Sequence, residues 1–156
     1  MIRAIVNNYR HRAREKRRQI FLESFPIDDK TRILDLGAHD GSAVYALLDM
    51  VSFDPKNIFI ADIDAEVVKA GAKAYGFTAV VIPEDGKVPF QDKHFDIVFC
   101  SSVIEHVTVS KDAIYNIRSD SEFRNAARIH QQKFASEICR LGGGVFCSNT
   151  QPQVSF

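Results

Sequence analysis

The residues best suited to chemistry stand at two places: the run Asp35-Leu36-Gly37-Ala38-His39-Asp40-Gly41 and, 25 residues after Gly37, Asp62. A glycine turn leaving a strand lets a ligand approach backbone N–H groups and the N-terminus of the following helix. A carboxylate at the end of the next strand can accept hydrogen bonds from both hydroxyls of a ribose. In this order, the two features predict a ribose-bearing ligand at a cluster of loops. The competing reading of Asp62 is structural: it begins a turn, or caps the next helix together with Asp64. A nicotinamide fingerprint asks for G-x-G-x-x-G, whereas only Gly37 and Gly41 are present. Gly41 is followed by Ser42 with no lysine nearby, so a Walker A loop is absent.

The elements that must position these residues follow from the hydrophobic pattern. After Pro26, short apolar runs rich in branched residues alternate with helical patterns, the signature of repeated β-α units and a parallel sheet. Strands are predicted at 32–36, 57–61, 77–82 and 95–100, and a fifth at 145–148. The fourth is apolar at nearly every residue, which predicts a central strand beside the first, covered on both faces. Between the first two strands, Val44, Leu47, Leu48 and Val51 recur at helical spacing. After the second, Val67, Val68, Ala70 and Ala74 are expected to face inward in a helix that stops at Gly76. Ser119 with Glu122 makes a capping box ahead of Phe123, Ala127, His130, Phe134, Ile138 and Leu141, one helix face that Gly142-Gly143-Gly144 should terminate.

The 156 residues suffice for one domain with a core that needs no disulfide or metal. Cys100, Cys139 and Cys147 lack paired C-x-x-C spacing, which argues against a disulfide framework or thiolate zinc site and for small buried side chains. No apolar run reaches the length of a membrane span and no signal-peptide core follows the basic N-terminus, so the simplest address is the cytoplasm. The net charge of zero divides unevenly: Arg3, Arg10, Arg12, Arg14, Lys16, Arg17 and Arg18 against Glu15 give +6 over residues 1–18 and −6 over the rest. Tyr9, Ala13, Ile20, Phe21 and Phe25 fall near helical spacing, which predicts residues 1–25 as a basic amphipathic helix ahead of a domain at 26–156. Its basic face is read first as a solvated surface, with a nucleic-acid, phosphate or acidic-membrane contact as the alternative.

From about Arg32 to Thr150 the chain resembles the class I S-adenosylmethionine-dependent methyltransferases, in particular methyltransferase type 11. DLGAHDG matches the family's D-x-G-x-G-x-G at Asp35, Gly37 and Gly41, with His39 where the middle glycine belongs. His tolerates a positive φ better than most residues, so local strain is the expected consequence. Ile58-Phe59-Ile60-Ala61-Asp62 looks like the family's strand ending in an acid, and Phe90 to Phe99 like its linker and fourth strand. Ser102-Val103-Ile104-Glu105-His106-Val107 looks like the segment that follows, and Arg140-Leu141-Gly142-Gly143-Gly144 resembles the usual Arg-x-Leu-x-Pro-Gly-Gly without its proline.

The resemblance implies a Rossmann-like α/β three-layer sandwich, a mostly parallel sheet with helices on both faces, that binds S-adenosyl-L-methionine and no metal. It implies that Asp35, Gly37, Ala38, His39, Gly41 and Ser101 form the cofactor loops, that Asp62 holds the ribose and that Ile63 flanks the adenine. Glu84 or Asp85 would meet the adenine amino group, although Asp85 with Gly86 can equally form a turn. The implied reaction is direct displacement, with an acceptor oxygen, nitrogen or carbon attacking the activated methyl group. His106 is the candidate base, with packing or helix capping as its competing role.

Family members continue past the fifth strand through a helix and an antiparallel hairpin, so this chain is expected to lack that hairpin and to leave strand five as an edge. A homodimer or a partner chain covering that edge is therefore expected. The expected activity is methyl transfer to a small molecule. The alternatives are a non-catalytic binding or partner domain with the same fold, and a nucleic-acid methyltransferase using the basic helix.

Overall fold

The structure, a computed structural model, describes residues 2–101, 103, 107 and 115–148, with side chains from residue 11 onward. A long helix α1 (Ile2–Ser24) leads into β1 (Ile33–Leu36) and α2 (Ser42–Leu48). After one 3-10 turn (Pro55–Asn57) come β2 (Ile58–Asp62), α3 (Ala65–Tyr75), β3 (Thr78–Val81) and β4 (Phe95–Ser101). A second long helix, α4 (Asp120–Leu141), runs directly into β5 (Gly142–Ser148).

The strands form one sheet in the order β3-β2-β1-β4-β5, and each pairing is parallel. The order reverses between β1 and β4, which opens a crevice beyond their carboxyl ends, where open α/β sheets bind ligands. Strand alternation divides the core into two layers. Ile33, Ile58, Ile60, Ile97 and Phe99 pack with Phe21 of α1, Val44 and Leu48 of α2, and Val68 of α3. Leu34, Leu36, Ala61, Val80 and Val98 pack with Ile138 and Leu141 of α4. Helices therefore cover both faces, as the fully buried β1 requires.

Several local expectations shift. α3 turns Val68, Gly71 and Ala72 inward, while Ala70 and Ala74 are exposed. Gly71 takes that place because a Cβ there would run into the Asp40 carbonyl, so α3 approaches the β1-α2 loop as only glycine permits. In α1, Phe21 is fully buried whereas Ile20 is 45% exposed, and Leu22 packs on the core in its stead. Ala127, Ile138 and Leu141 of α4 are buried, but Phe123 and His130 are exposed, so the inward stripe covers the sheet only toward the end of the helix.

Gly142-Gly143-Gly144 does not form a separate turn. It is already strand, paired from Gly142 opposite Phe95, because Cβ atoms at Gly142 and Gly144 would press on Val98 and Phe25. α4 is instead closed by Lys93, whose Nζ donates to the Cys139 and Gly142 carbonyls at 2.7 Å each, a cation at a helix C-terminus. Only Cys100 of the three cysteines is buried; Cys139 and Cys147 are exposed. No helix among the described residues is long and apolar enough to cross a membrane.

Candidate functional site

The β1-α2 loop begins where β1 runs out. Gly37, at φ 78°, makes a left-handed turn, and a Cβ there would collide with the Val103 side chain. The loop's amides are turned onto β2. Gly37 N–H and Ala38 N–H both donate to the Ala61 carbonyl, at 2.8 and 3.0 Å, and Gly41 N–H donates to the Ala38 carbonyl at 2.9 Å. These three bonds fasten the loop to the neighbouring strand end and to itself.

His39 holds another of the loop's left-handed positions, with φ 52°, where the family motif has glycine. Its N–H donates to Asp62 Oδ2 at 2.7 Å, while Asp62 Oδ1 accepts from Asp64 N–H at 3.1 Å. The predicted convergence of the glycine loop and the acid ending β2 is thus a hydrogen bond. Asp64, not Asp62, caps α3, accepting from Glu66 N–H and Val67 N–H. Each Asp62 oxygen retains a lone pair, so the carboxylate can still accept from a ligand. Ile63, next along, is 79% exposed.

Asp35 lies beneath this loop, 2% exposed, and its Oδ2 makes no hydrogen bond. Burial, reinforced by the charge of Asp62, pushes its carboxyl up to about 8, so the side chain is protonated at neutral pH. It is the sole buried polar side-chain atom left unpaired among the described residues. A buried carboxyl oxygen with no partner fits a site that a polar ligand group completes.

Glu84 and Asp85 sit together on an exposed turn after β3. Gly86 N–H donates to the Pro83 carbonyl at 2.9 Å and Lys87 N–H to Asp85 Oδ1 at 2.9 Å, so Asp85 makes the turn that its sequence allowed. Ser101, at the carboxyl end of β4, lies 3.0 Å from Ser148 Oγ and accepts from Arg17 Nη1 at 3.3 Å. Sequence reasoning did not single out Arg17, Gly71 or Val103: a basic residue within a basic run, a glycine inside a helix and a valine after a strand carry no local sign of these contacts. His106 lies outside the described residues, as does Ser102. No group of three His, Cys, Asp or Glu side chains that could hold a metal occurs among the described residues.

A family model described as a methyltransferase domain, type 11, matches residues 34–119, more than half of the chain. The chain belongs to this family. Solved structures agree on the fold. A Haloferax volcanii chain assigned as a methyltransferase, solved in complex with the Trm112 methyltransferase activator, is 23% identical over 92% of this chain and 57% of its own, with a TM-score of 0.52. The PH0226 protein of Pyrococcus horikoshii is 17% identical over 85% of this chain and 50% of its own, with a TM-score of 0.56. A Bacillus halodurans protein assigned as a methyltransferase is 18% identical over 83% and 49%, with a TM-score of 0.55. The chain thus spans about half the length of these structures. No curated protein matches it. Class I methyltransferase architecture, expected from the motifs, is the fold observed.

Proposed function

We propose that this chain binds S-adenosyl-L-methionine across the carboxyl ends of β1 and β2 and transfers its methyl group to a small-molecule acceptor. The observation that carries the reading is the 2.7 Å hydrogen bond from His39 N–H to Asp62, which brings the glycine loop and the strand-ending acid into one cradle. The residues present fit the cofactor. Asp62 has acceptor capacity for the ribose hydroxyls, Ile63 offers an exposed apolar surface for the adenine, and Glu84 stands on the neighbouring loop for its amino group. Asp35 offers an unpaired buried oxygen beneath the loop. The cofactor, when bound, supplies an electrophilic methyl on a sulfonium. The protein's part is to hold Asp62 and the loop in a fixed geometry, keep water away and align an acceptor for in-line attack. His106 is the proposed base for an acceptor that must lose a proton.

Asp62→Ala is expected to weaken S-adenosylhomocysteine binding by about 1.5–3 kcal/mol, the usual loss for hydrogen bonds to a charged group, measured by titration calorimetry. An unchanged dissociation constant would remove Asp62 from the site. Methyl transfer to a broad panel of small acceptors tests the catalytic half of the proposal, and binding without transfer to any of them would favour a binding domain. A second reading, a domain completed by a partner chain, draws on one observation: β5 is the outer strand of the described sheet, with Val145 39% exposed upon it. The similar Haloferax volcanii chain is solved with an activator protein. Size-exclusion chromatography with light scattering tests this reading, and a monomer that turns over alone would refute it.

A further inference from the structure

We propose that the cavity between α1 and α2 binds a single oxyanion, a phosphate or carboxylate group, and that this group belongs to the acceptor. The second clause rests on the methyltransferase reading; the first does not. The cavity holds about 470 Å³, within the roughly 300–1,000 Å³ of small-molecule sites. Arg14, Arg17 and Arg18 form its α1 wall and Phe99 its floor. It adjoins the β1-α2 loop: Ser42 on its α2 wall directly follows Gly41, and Phe99 is the register partner of Asp35, one strand spacing of about 4.8 Å away.

Arg17 makes this more than a basic surface. It is half-buried, its hydrogen bond goes to the neutral Ser101 hydroxyl, and it has no carboxylate partner among the described residues. Burial, and then the like charge of Arg14, draw its guanidinium below the usual value, the signature of a cation short of a counter-ion. A guanidinium held by a neutral hydroxyl keeps its remaining N–H donors for the forked recognition of a carboxylate or phosphate. The cavity is not an open cationic stripe. Arg18 is paired with Glu15 at 2.6 Å, and Glu15 and Asp49 both line the space, leaving one net positive charge from the three arginines among the described residues. That balance suits one compact anion better than a polyanion.

The test is titration calorimetry of the full chain at fixed ionic strength in a cationic buffer, with inorganic phosphate, acetate and a single-stranded RNA oligonucleotide as probes. Saturable one-site binding of phosphate or acetate is expected. A preference for phosphate identifies a phosphorylated group and a preference for acetate a carboxylate. Arg17→Gln should weaken binding about tenfold or more and Arg14→Gln in the same direction, whereas Arg128→Gln, exposed on α4, should leave it unchanged. If Arg17→Gln fails to fold by circular dichroism, Arg14→Gln carries the test. The proposal is overturned by no saturable binding of either small anion at tens of millimolar, by equal weakening in Arg128→Gln, or by RNA binding far tighter than phosphate that the cavity variants abolish. S-adenosylhomocysteine titrated into the same samples separates the two ideas. Its binding without that of the small anions contradicts the cavity alone, and the reverse contradicts the methyltransferase reading, and with it the assignment of the anion to an acceptor, while leaving the anion site standing.

Discussion

Asp35 is placed in a fully buried strand, where a carboxylate is costly, and one strand away from Asp62 beside the loop. Protonation resolves the conflict. Because the folded-state value stands at about 8 against 3.8 for the free side chain, the folded protein holds a proton that the unfolded chain has released over that interval. The contribution of Asp35 to stability is therefore lost progressively as pH rises from about 4 to about 8. Urea unfolding at pH 5, 7 and 9 should show a steeper decline for wild type than for Asp35→Asn, which has no proton to lose. Identical slopes would place Asp35 in a wetter setting than its 2% exposure indicates. At this scale the sequence was informative where a motif fixes backbone geometry: Gly37 and Gly41 are left-handed, as is His39 in the place of a glycine. It was silent on how the amides are used, because the choice of Ala61 as their acceptor depends on the register of β1 against β2.

Among the elements, α4 and the segment leading into β4 are held together by Arg140 as well as by Lys93. Arg140 donates to the Phe90 carbonyl at 2.6 Å, the Val88 carbonyl at 3.0 Å, Asp92 at 3.0 Å and Glu137 at 2.6 Å, and Glu137 in turn accepts from Val88 N–H. These carboxylate bonds hold the guanidinium well above its ordinary value and, led by the Arg140 hydrogen bond, pull Glu137 below its own. Arg140→Ala leaves Glu137, 13% exposed, without its cation, and should cost about 2–3 kcal/mol in denaturant unfolding. A loss below about 0.5 kcal/mol would show that the pair behaves as an ordinary surface ion pair. The strands and helices were legible because the period of apolar residues changes between them, and most of their ends moved by a residue or two, although α2 stops at Leu48, three residues before Val51. The start of β5 was not legible. Three consecutive glycines read as a turn in isolation, and only the approach of Val98 and Phe25 explains them as strand.

For the whole molecule, α1 is tied to the sheet through aromatic packing: Phe21 is fully buried, 5.8 Å from the Phe99 ring and 5.2 Å from that of Phe146. Phe21→Ala should destabilise the chain by about 3–5 kcal/mol, read as a lowered midpoint in urea; a near-neutral effect would mean that α1 detaches without disturbing the sheet. Arg12, Arg14 and Lys16 are exposed, as a solvated face requires, while the docking of Phe21 carries Arg17 to the carboxyl end of β4. Charge count alone could not reveal this, since it depends on where one phenylalanine docks. Fold class was legible from the alternation of apolar runs, and a ribose-bearing ligand was expected from the order of two motifs, while an acceptor would be recognised by side chains from distant elements, which no local motif reports. The central claim is tested most directly by titration calorimetry of the purified chain with S-adenosylhomocysteine, with NADH as the control. One-site binding of the adenosyl ligand in the micromolar range, with no heat from NADH, is the predicted result. A folded protein that binds neither ligand, or binds NADH instead, would contradict it.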